Sequence, residues 1–370
     1  MKVGRGLEAH TRGVEGGAQD KGPSKEGVLA LMALGLLLVA GFLQLSPATS
    51  SALASVITRV LPSTQTSTST NSSLNALAVY SPLISNGVAN VSYPADYNAL
   101  SNFTLNLINQ DRANQSAPPV TLGTNPAAQQ HADSMLKYDY FSHFDTQGFK
   151  PYMRYTLLGG VGAVSENVAY ITWKGNHFTN TSTVESSIGT LEHAMMYNDS
   201  ICCNNGHRLD IINPLHNHVA FGIAYNSTTL FFVEDFENYY LDLSYNVSNS
   251  HQFSMNGSFL APVASLSQIF VTYDSTPSAE TPAQLDKGPT EYDPGYLLGG
   301  VLPPCSGSCS VFASGVTVRA AVWQVTPESL AITFDLSPFI RVYGAGVYTV
   351  YLLTGADTGS ALTSISVFVS

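Results

Sequence analysis

Charge is scarce in this sequence. Asp, Glu, Lys and Arg make up 11 % of its 370 residues, less than half the roughly 25 % usual for soluble domains. Solubility therefore falls to Asn, Ser, Thr and Tyr, or to attached sugar. Cations are the scarcer sign, 15 against 26 acidic residues, for a net charge of −11. A polyanion is repelled by phosphate backbones and anionic headgroups, so no nucleic-acid partner is expected. Several catalytic signatures are missing: the Gly-x-Ser-x-Gly elbow, the phosphate loop, His-Glu-x-x-His, and Gly-x-Gly-x-x-Gly opening a helix. Cysteine is rare, at Cys202, Cys203, Cys305 and Cys309. That spacing excludes a zinc site built from two CxxC pairs. Outside a reducing compartment four cysteines allow three connectivities. Cys305–Cys309 would close a Ser-Gly-Ser loop, whereas a bond from Cys202 or Cys203 to that loop would staple two domains.

One long apolar run is present. Residues 27–45 carry no charge, and the next charged residue is Arg59. As a helix the run spans about 28 Å, close to a bilayer's hydrocarbon core. Lys2, Arg5, Arg12, Lys21 and Lys25 precede it. The positive-inside tendency then keeps the N-terminus cytoplasmic and exports the rest. Ala52-Leu53-Ala54 leaves secretion after signal cleavage as the alternative. Asn-x-Ser/Thr sequons at Asn71, Asn90, Asn102, Asn114, Asn180, Asn198, Asn226, Asn246 and Asn256 permit N-linked sugar.

The expected organisation is a cytoplasmic tail (1–26), a transmembrane anchor (27–45), a Ser/Thr-rich stalk and linker (46–96), a mixed domain (97–241) and a β domain (242–370). Leu100, Phe103, Leu107 and Ile108 form a helical stripe. Pro126 opens a second helix, with Ala128, His131, Ala132, Met135 and Leu136 on one face. A third is expected over 151–158, stopped by Gly159-Gly160, and a fourth over 183–198. Val219, Phe221, Ile223 and Tyr225 alternate with small residues, the period of a strand, and 230–236 supplies another. Beyond Tyr245, short β-branched or aromatic runs at 268–273, 316–323, 330–336, 347–353 and 362–369 read as a β-sandwich. Leu157-Leu-Gly-Gly-Val161 recurs at 297–301, but five residues make no repeat.

Polar residues stand out in apolar surroundings: His143, Glu166, Glu192, Asp199 and His207. Taken singly, each also reads as a hydrogen-bonded core or capping residue. His216 and His218 form a second candidate metal pair, with a solvent-facing strand start as the favoured reading.

The motifs around them resemble a known family. Leu105-Asn-Leu-Ile-Asn-Gln-Asp-Arg-Ala113 with Pro118-Pro119 and His131-Ala132, then Phe141-Ser-His143, Ser165-Glu-Asn-Val-Ala169, and Gly206-His-Arg-Leu-Asp-Ile-Ile-Asn-Pro214 occur in order. They resemble the CAP superfamily (cysteine-rich secretory protein, antigen 5, pathogenesis-related), in its prokaryotic or archaeal type. The resemblance implies an α-β-α sandwich whose cleft is lined by His143, Glu166, Asp199 and His207. Asp199 follows from a three-residue offset from Met196, which stands where many members have Trp, and Glu192 competes for the role. Ser165 replaces the motif's Gly, and Cys202-Cys203-Asn-Asn is an atypical insertion. The whole chain is then expected to be α+β: a CAP-like sandwich, an all-β immunoglobulin-like sandwich and one N-terminal transmembrane helix. Two imidazoles with a carboxylate can hold a divalent cation such as zinc, with His143 and His207 as ligands. The expected function is ligand binding or cell-surface interaction, with a lipid, peptide or surface ligand and the membrane as partners. A metal-dependent hydrolase or peptidase using Glu166 as base is the alternative.

Overall fold

The computed structural model describes residues 79–80, 91–200, 203–263, 266–312, 315–354 and 361–370. The expected tail, anchor and most of the stalk lie outside the described residues, as does Cys202. Among the described residues no helix is long and apolar enough to cross a membrane.

After a two-residue strand, β1 (Val79–Tyr80), the first unit sets helices on both faces of a sheet. Its helices are α1 (Tyr97–Asn114), α2 (Ala127–Tyr138), α3 (Pro151–Leu157), α4 (Thr181–Tyr197) and α5 (Gly206–Ile211). Its strands are β2 (Thr121–Leu122), β3 (Ala163–Thr172), β4 (His218–Tyr225) and β5 (Thr229–Asn238), in the order β2-β4-β5-β3. Local sequence explains the helix ends. Asn180 caps α4 by accepting the Thr183 N–H at 3.1 Å. Pro151 opens α3, where a missing N–H costs nothing.

The alternation in β4 sets the layering. Val219, Phe221 and Ile223 pack with Leu100, Ile108, Val184 and Ile188 of α1 and α4. Ala220, Gly222 and Ala224 point the other way, onto α2. A β-carbon at Gly222 would lie 2.1 Å from the Ala128 carbonyl oxygen. The glycine therefore sets how closely the helix approaches the sheet.

The second unit is rich in strands. These are β6 (Leu241–Val247), β7 (Gln252–Phe259), β8 (Leu266–Asp274), β9 (Tyr296–Leu302), β10 (Val316–Arg319), β11 (Val322–Val325), β12 (Ser329–Asp335), β13 (Gly346–Thr354) and β14 (Ile365–Val369). One sheet runs β1-β14-β13-β8-β9-β10 and the other β11-β12-β7-β6. They share a core that includes Phe253, Phe334, Ile269, Tyr348 and Val350. The chain is thus α+β with a β-rich C-terminal region. That region is not all-β: α6 (Pro282–Leu285) and α7 (Ser337–Tyr343) interrupt it. Nor is it purely antiparallel, since β9 and β10 pair in parallel. β9 carries the second Leu-Leu-Gly-Gly-Val run, whose first copy spans the end of α3 and the turn after it. Gly299 has φ +141° and would clash with Val316 if it bore a side chain. Cys305 and Cys309 are bonded to each other, so that loop is not stapled to Cys203, which is itself in a disulfide.

Residues 275–295 leave β8, cross the first unit and return as β9. Leu285 of α6 is buried among Ala128, Met135 and Tyr140. The Phe141 N–H donates to Asp286 at 3.0 Å. Lys150 holds Asp274 and Asp293, each at 2.7 Å. This strap lies across the residues singled out in the sequence.

Candidate functional site

The site is built on β3, the edge strand of its sheet. Successive residues of a strand point to opposite faces. Glu166 accordingly faces α3 and Asn167 faces α5, and the two carry the two halves of the site.

On the first face Glu166 is almost fully buried. Its Oε1 lies 2.9 Å from His143 Nδ1, and its Oε2 accepts from Arg154 Nη2 at 2.5 Å. Arg154 also donates to the carbonyls of His143 and Phe149, which fixes the loop that carries the histidine. Burial opposes the Glu166 charge, but the Arg154 guanidinium and the hydrogen bond from His143 outweigh it and hold the carboxyl down to about 2. His131 beneath them is pushed down to about 3 by burial and by Arg154, so it is neutral. Glu166 therefore fixes the tautomer of His143: Nδ1 carries the proton, and Nε2 is left to meet a ligand.

On the second face Asp199 Oδ1 lies 2.6 Å from His207 Nδ1, and the Arg208 N–H donates to Oδ2 at 3.2 Å. Burial opposes this carboxylate too, but His207 and the backbone donors hold it below its ordinary value. Asp199, rather than Glu192, is the partner of His207. Glu192 instead meets Glu234 of β5, carboxyl to carboxyl. Neither oxygen of Glu192 has an N–H or O–H donor from the protein. Burial pushes Glu192 up to about 7 and Glu234 well above its ordinary value. The four residues named from sequence thus form two hydrogen-bonded pairs flanking one strand.

Two features escaped the sequence. The first is Tyr292 of the strap. Its hydroxyl accepts the Glu166 N–H at 2.9 Å, on the open edge of β3. Its ring stands 4.9 Å from that of His143. Burial, with Asp210 and Glu166 nearby, raises its phenol well above the ordinary value, so it stays neutral. The edge N–H that an incoming ligand would use is therefore taken by the protein's own chain.

The second is a network around His216, which is buried and not at a solvent-facing strand start. Asn238 donates to the Ala361 carbonyl at 2.8 Å, which turns its Oδ1 toward His216 Nδ1, also at 2.8 Å. His216 Nε2 faces Asp210 Oδ1 at 3.0 Å and Ser165 Oγ at 3.2 Å. Ser165 donates to the same Asp210 oxygen at 2.5 Å. The one signal in the sequence was Ser165 itself, standing where the motif has Gly. Among the described residues His216 and His218 belong to no common ligand group.

The resemblance implies a divalent cation. Among the described residues one group of candidate ligand atoms lies within 4.8 Å: Asp199, Cys203 and His207. Cys203 is disulfide-bonded and cannot supply a thiolate. What remains is a carboxylate and an imidazole, fewer than the three protein ligands of an open zinc site. His143 is not in this group. In this state the donors do not fit a metal.

Comparison with known proteins follows the same residues. The family model described as the cysteine-rich secretory protein family, CAP, matches residues 105–236. No curated protein matches the chain. Among solved structures, it is similar to an extracellular protein containing a SCP domain from Bacillus anthracis str. Ames. The identity is 19 %, over 40 % of this chain and 44 % of that one, with a TM-score of 0.28. The chain thus spans less than half the length of that protein. It is also similar to the CAP domain of Enterococcal PrgA, 14 % identical over 52 % of this chain and 79 % of that one, again with a TM-score of 0.28.

Proposed function

Because residues 105–236 of this chain are a CAP domain, we propose that the protein is an extracytoplasmic binding module anchored by residues 27–45. Its ligand site is the open edge of β3 between the His143–Glu166 and Asp199–His207 pairs. The observation that carries this reading is the Nδ1-to-carboxylate bond made by each histidine. Each bond locks a ring and leaves Nε2 as the nitrogen for a ligand. Tyr292 occupies the edge in this state, so a ligand enters as the strap lifts. An organic group with a hydroxyl or carbonyl acceptor, such as a peptide, could take the Glu166 N–H that Tyr292 now holds. Cation binding by His143 and His207 is proposed only for that open state. The β-rich region, read as an immunoglobulin-like layering of two sheets, holds the strap and serves spacing or recognition.

The hydrolase alternative asks Glu166 to act as base. Both of its oxygens are engaged and its carboxyl is held to about 2, so it is a poor proton acceptor near neutral pH. The test is zinc titration by calorimetry of the protein and of Tyr292→Ala. Stoichiometric binding in the variant, lost in His143→Ala and in His207→Ala on that background, is expected. Binding unchanged by either histidine substitution would remove the pairs from the site.

A further inference from the structure

The sequons divide the surface in a way that the ligand-binding reading does not use. Seven of them lie among the described residues, and all seven asparagines are exposed. The described residues hold twelve other asparagines, of which only five are exposed. Several of those outside sequons have structural work. Asn167 reaches Glu234, Asn238 orients His216, and Asn109 closes on both backbone groups of Val120. Exposure therefore follows the sequon and not asparagine in general.

Their placement is uneven among the elements. Asn102 and Asn114 lie on α1, and Asn180 and Asn198 flank α4, which packs beside α1. Asn226 is in the turn between β4 and β5. Asn246 on β6 and Asn256 on β7 both point outward, where Asn246 pairs with Ser254 and Ser244 with Asn256. Residues 115–179, with α2, α3, His143 and Glu166, contain no sequon, and residues 257–370, with the whole strap, contain no asparagine. The hydrogen bonds at the sequons also leave room for modification. Asn226 uses Oδ1 to hold the Thr228 and Thr229 N–H groups, and Asn180 uses Oδ1 to cap α4. The Asn226 amide nitrogen stays outside those bonds, whereas the Asn180 amide nitrogen makes a long 3.5 Å contact to the Thr179 hydroxyl and that of Asn102 donates to the Asn98 carbonyl at 2.7 Å, exposed bonds that modification would replace.

We infer that these seven asparagines are N-glycosylation sites, and that the glycans coat the α1/α4 layer and the outer face of β6–β7 while leaving the α2/α3 and strap side bare. The inference rests on the extracytoplasmic location proposed above. In the transfer, the side-chain Nδ2 bonds to C1 of a lipid-linked oligosaccharide. The bond from C1 to the lipid's phosphate oxygen breaks, and the proton lost by Nδ2 leaves with the lipid phosphate. The coat supplies the hydration that a chain with 11 % charged residues lacks.

The experiment is glycopeptide mapping of the full chain made in a host that attaches N-linked glycans, with protease treatment of intact cells in parallel. Occupied peptides at most of the seven sites and none at asparagines outside sequons are expected. Asn226→Gln and Asn114→Gln should each remove one glycan from the intact mass. A chain exposed outside the cell with all seven asparagines unmodified overturns this inference alone. A chain protected inside intact cells overturns it together with the location reading.

Discussion

Replacing Glu166 by Gln tests whether the first half of the site is held by charge. The side chain keeps its size, so packing among His131, His143 and Arg154 is little changed. What goes is the carboxylate that neutralises a buried guanidinium, with Arg154 only 3 % exposed at its side chain. Removing one member of a buried ion pair costs about 3–5 kcal/mol. Proton linkage gives a second route to the number. A carboxyl near 4.3 in the unfolded chain and about 2 here differs by roughly two units, or about 3 kcal/mol. Both routes point to about 3 kcal/mol, a large share of the roughly 5–15 kcal/mol that holds a domain together. Because the folded-state pKa is the lower one, the unfolded chain binds more protons between the two values. The contribution is complete above about pH 5 and drains away as pH falls through 4 toward 2. Urea unfolding followed by far-ultraviolet circular dichroism, repeated across pH, measures this. The variant should be weaker by about 3 kcal/mol at pH 7 and should approach the wild type at pH 2. A difference below about 0.5 kcal/mol at pH 7, or parallel pH curves, would refute the reasoning.

Other substitutions report on different parts of the argument. Gly222→Ala puts a β-carbon 2.1 Å from the Ala128 carbonyl oxygen. It should lower thermal stability by about 1–3 kcal/mol or more, read as a fall in Tm, because backbone must move to make room. Glu192 is the opposite case to Glu166. Its pKa is raised to about 7, so the folded chain keeps a proton that the unfolded chain loses near 4.3, and stability falls as pH rises from about 4 to 7. Glu192→Gln should match the wild type near pH 4 and exceed it at pH 8 by about 1–3 kcal/mol, measured by urea unfolding. Tyr292→Ala should raise hydrogen exchange at the Glu166 amide about tenfold. Unchanged exchange there would mean that the strap does not cover the β3 edge.

Local pattern made much of the first unit readable. The alternation of large and small residues in β4 marks both its period and its two faces, because side chains of a strand point alternately to the helices on either side. Ordered short motifs singled out His143, Glu166, Asp199 and His207, and the structure joins them in the pairs His143–Glu166 and Asp199–His207. β2, β3, β6, β7 and β9 went unread, and β6 and β9 show two different reasons. β6 alternates over only seven residues, and β9 carries two glycines that serve close backbone approach rather than side-chain packing.

By itself the sequence determined where four helices and the strands β4 and β5 of residues 97–241 fall, which faces they bury, and which polar residues are unusual there, but not β2, β3 or α5. These follow from the spacing of neighbours along the chain. Only the tertiary structure decided that Asp199 and not Glu192 serves His207, that His216 is buried against Ser165, Asp210 and Asn238, and that Tyr292 closes the β3 edge. Those outcomes depend on contacts between distant segments, 126 residues apart for Glu166 and Tyr292. A local period says which way a side chain points. It does not say which remote segment will meet it there.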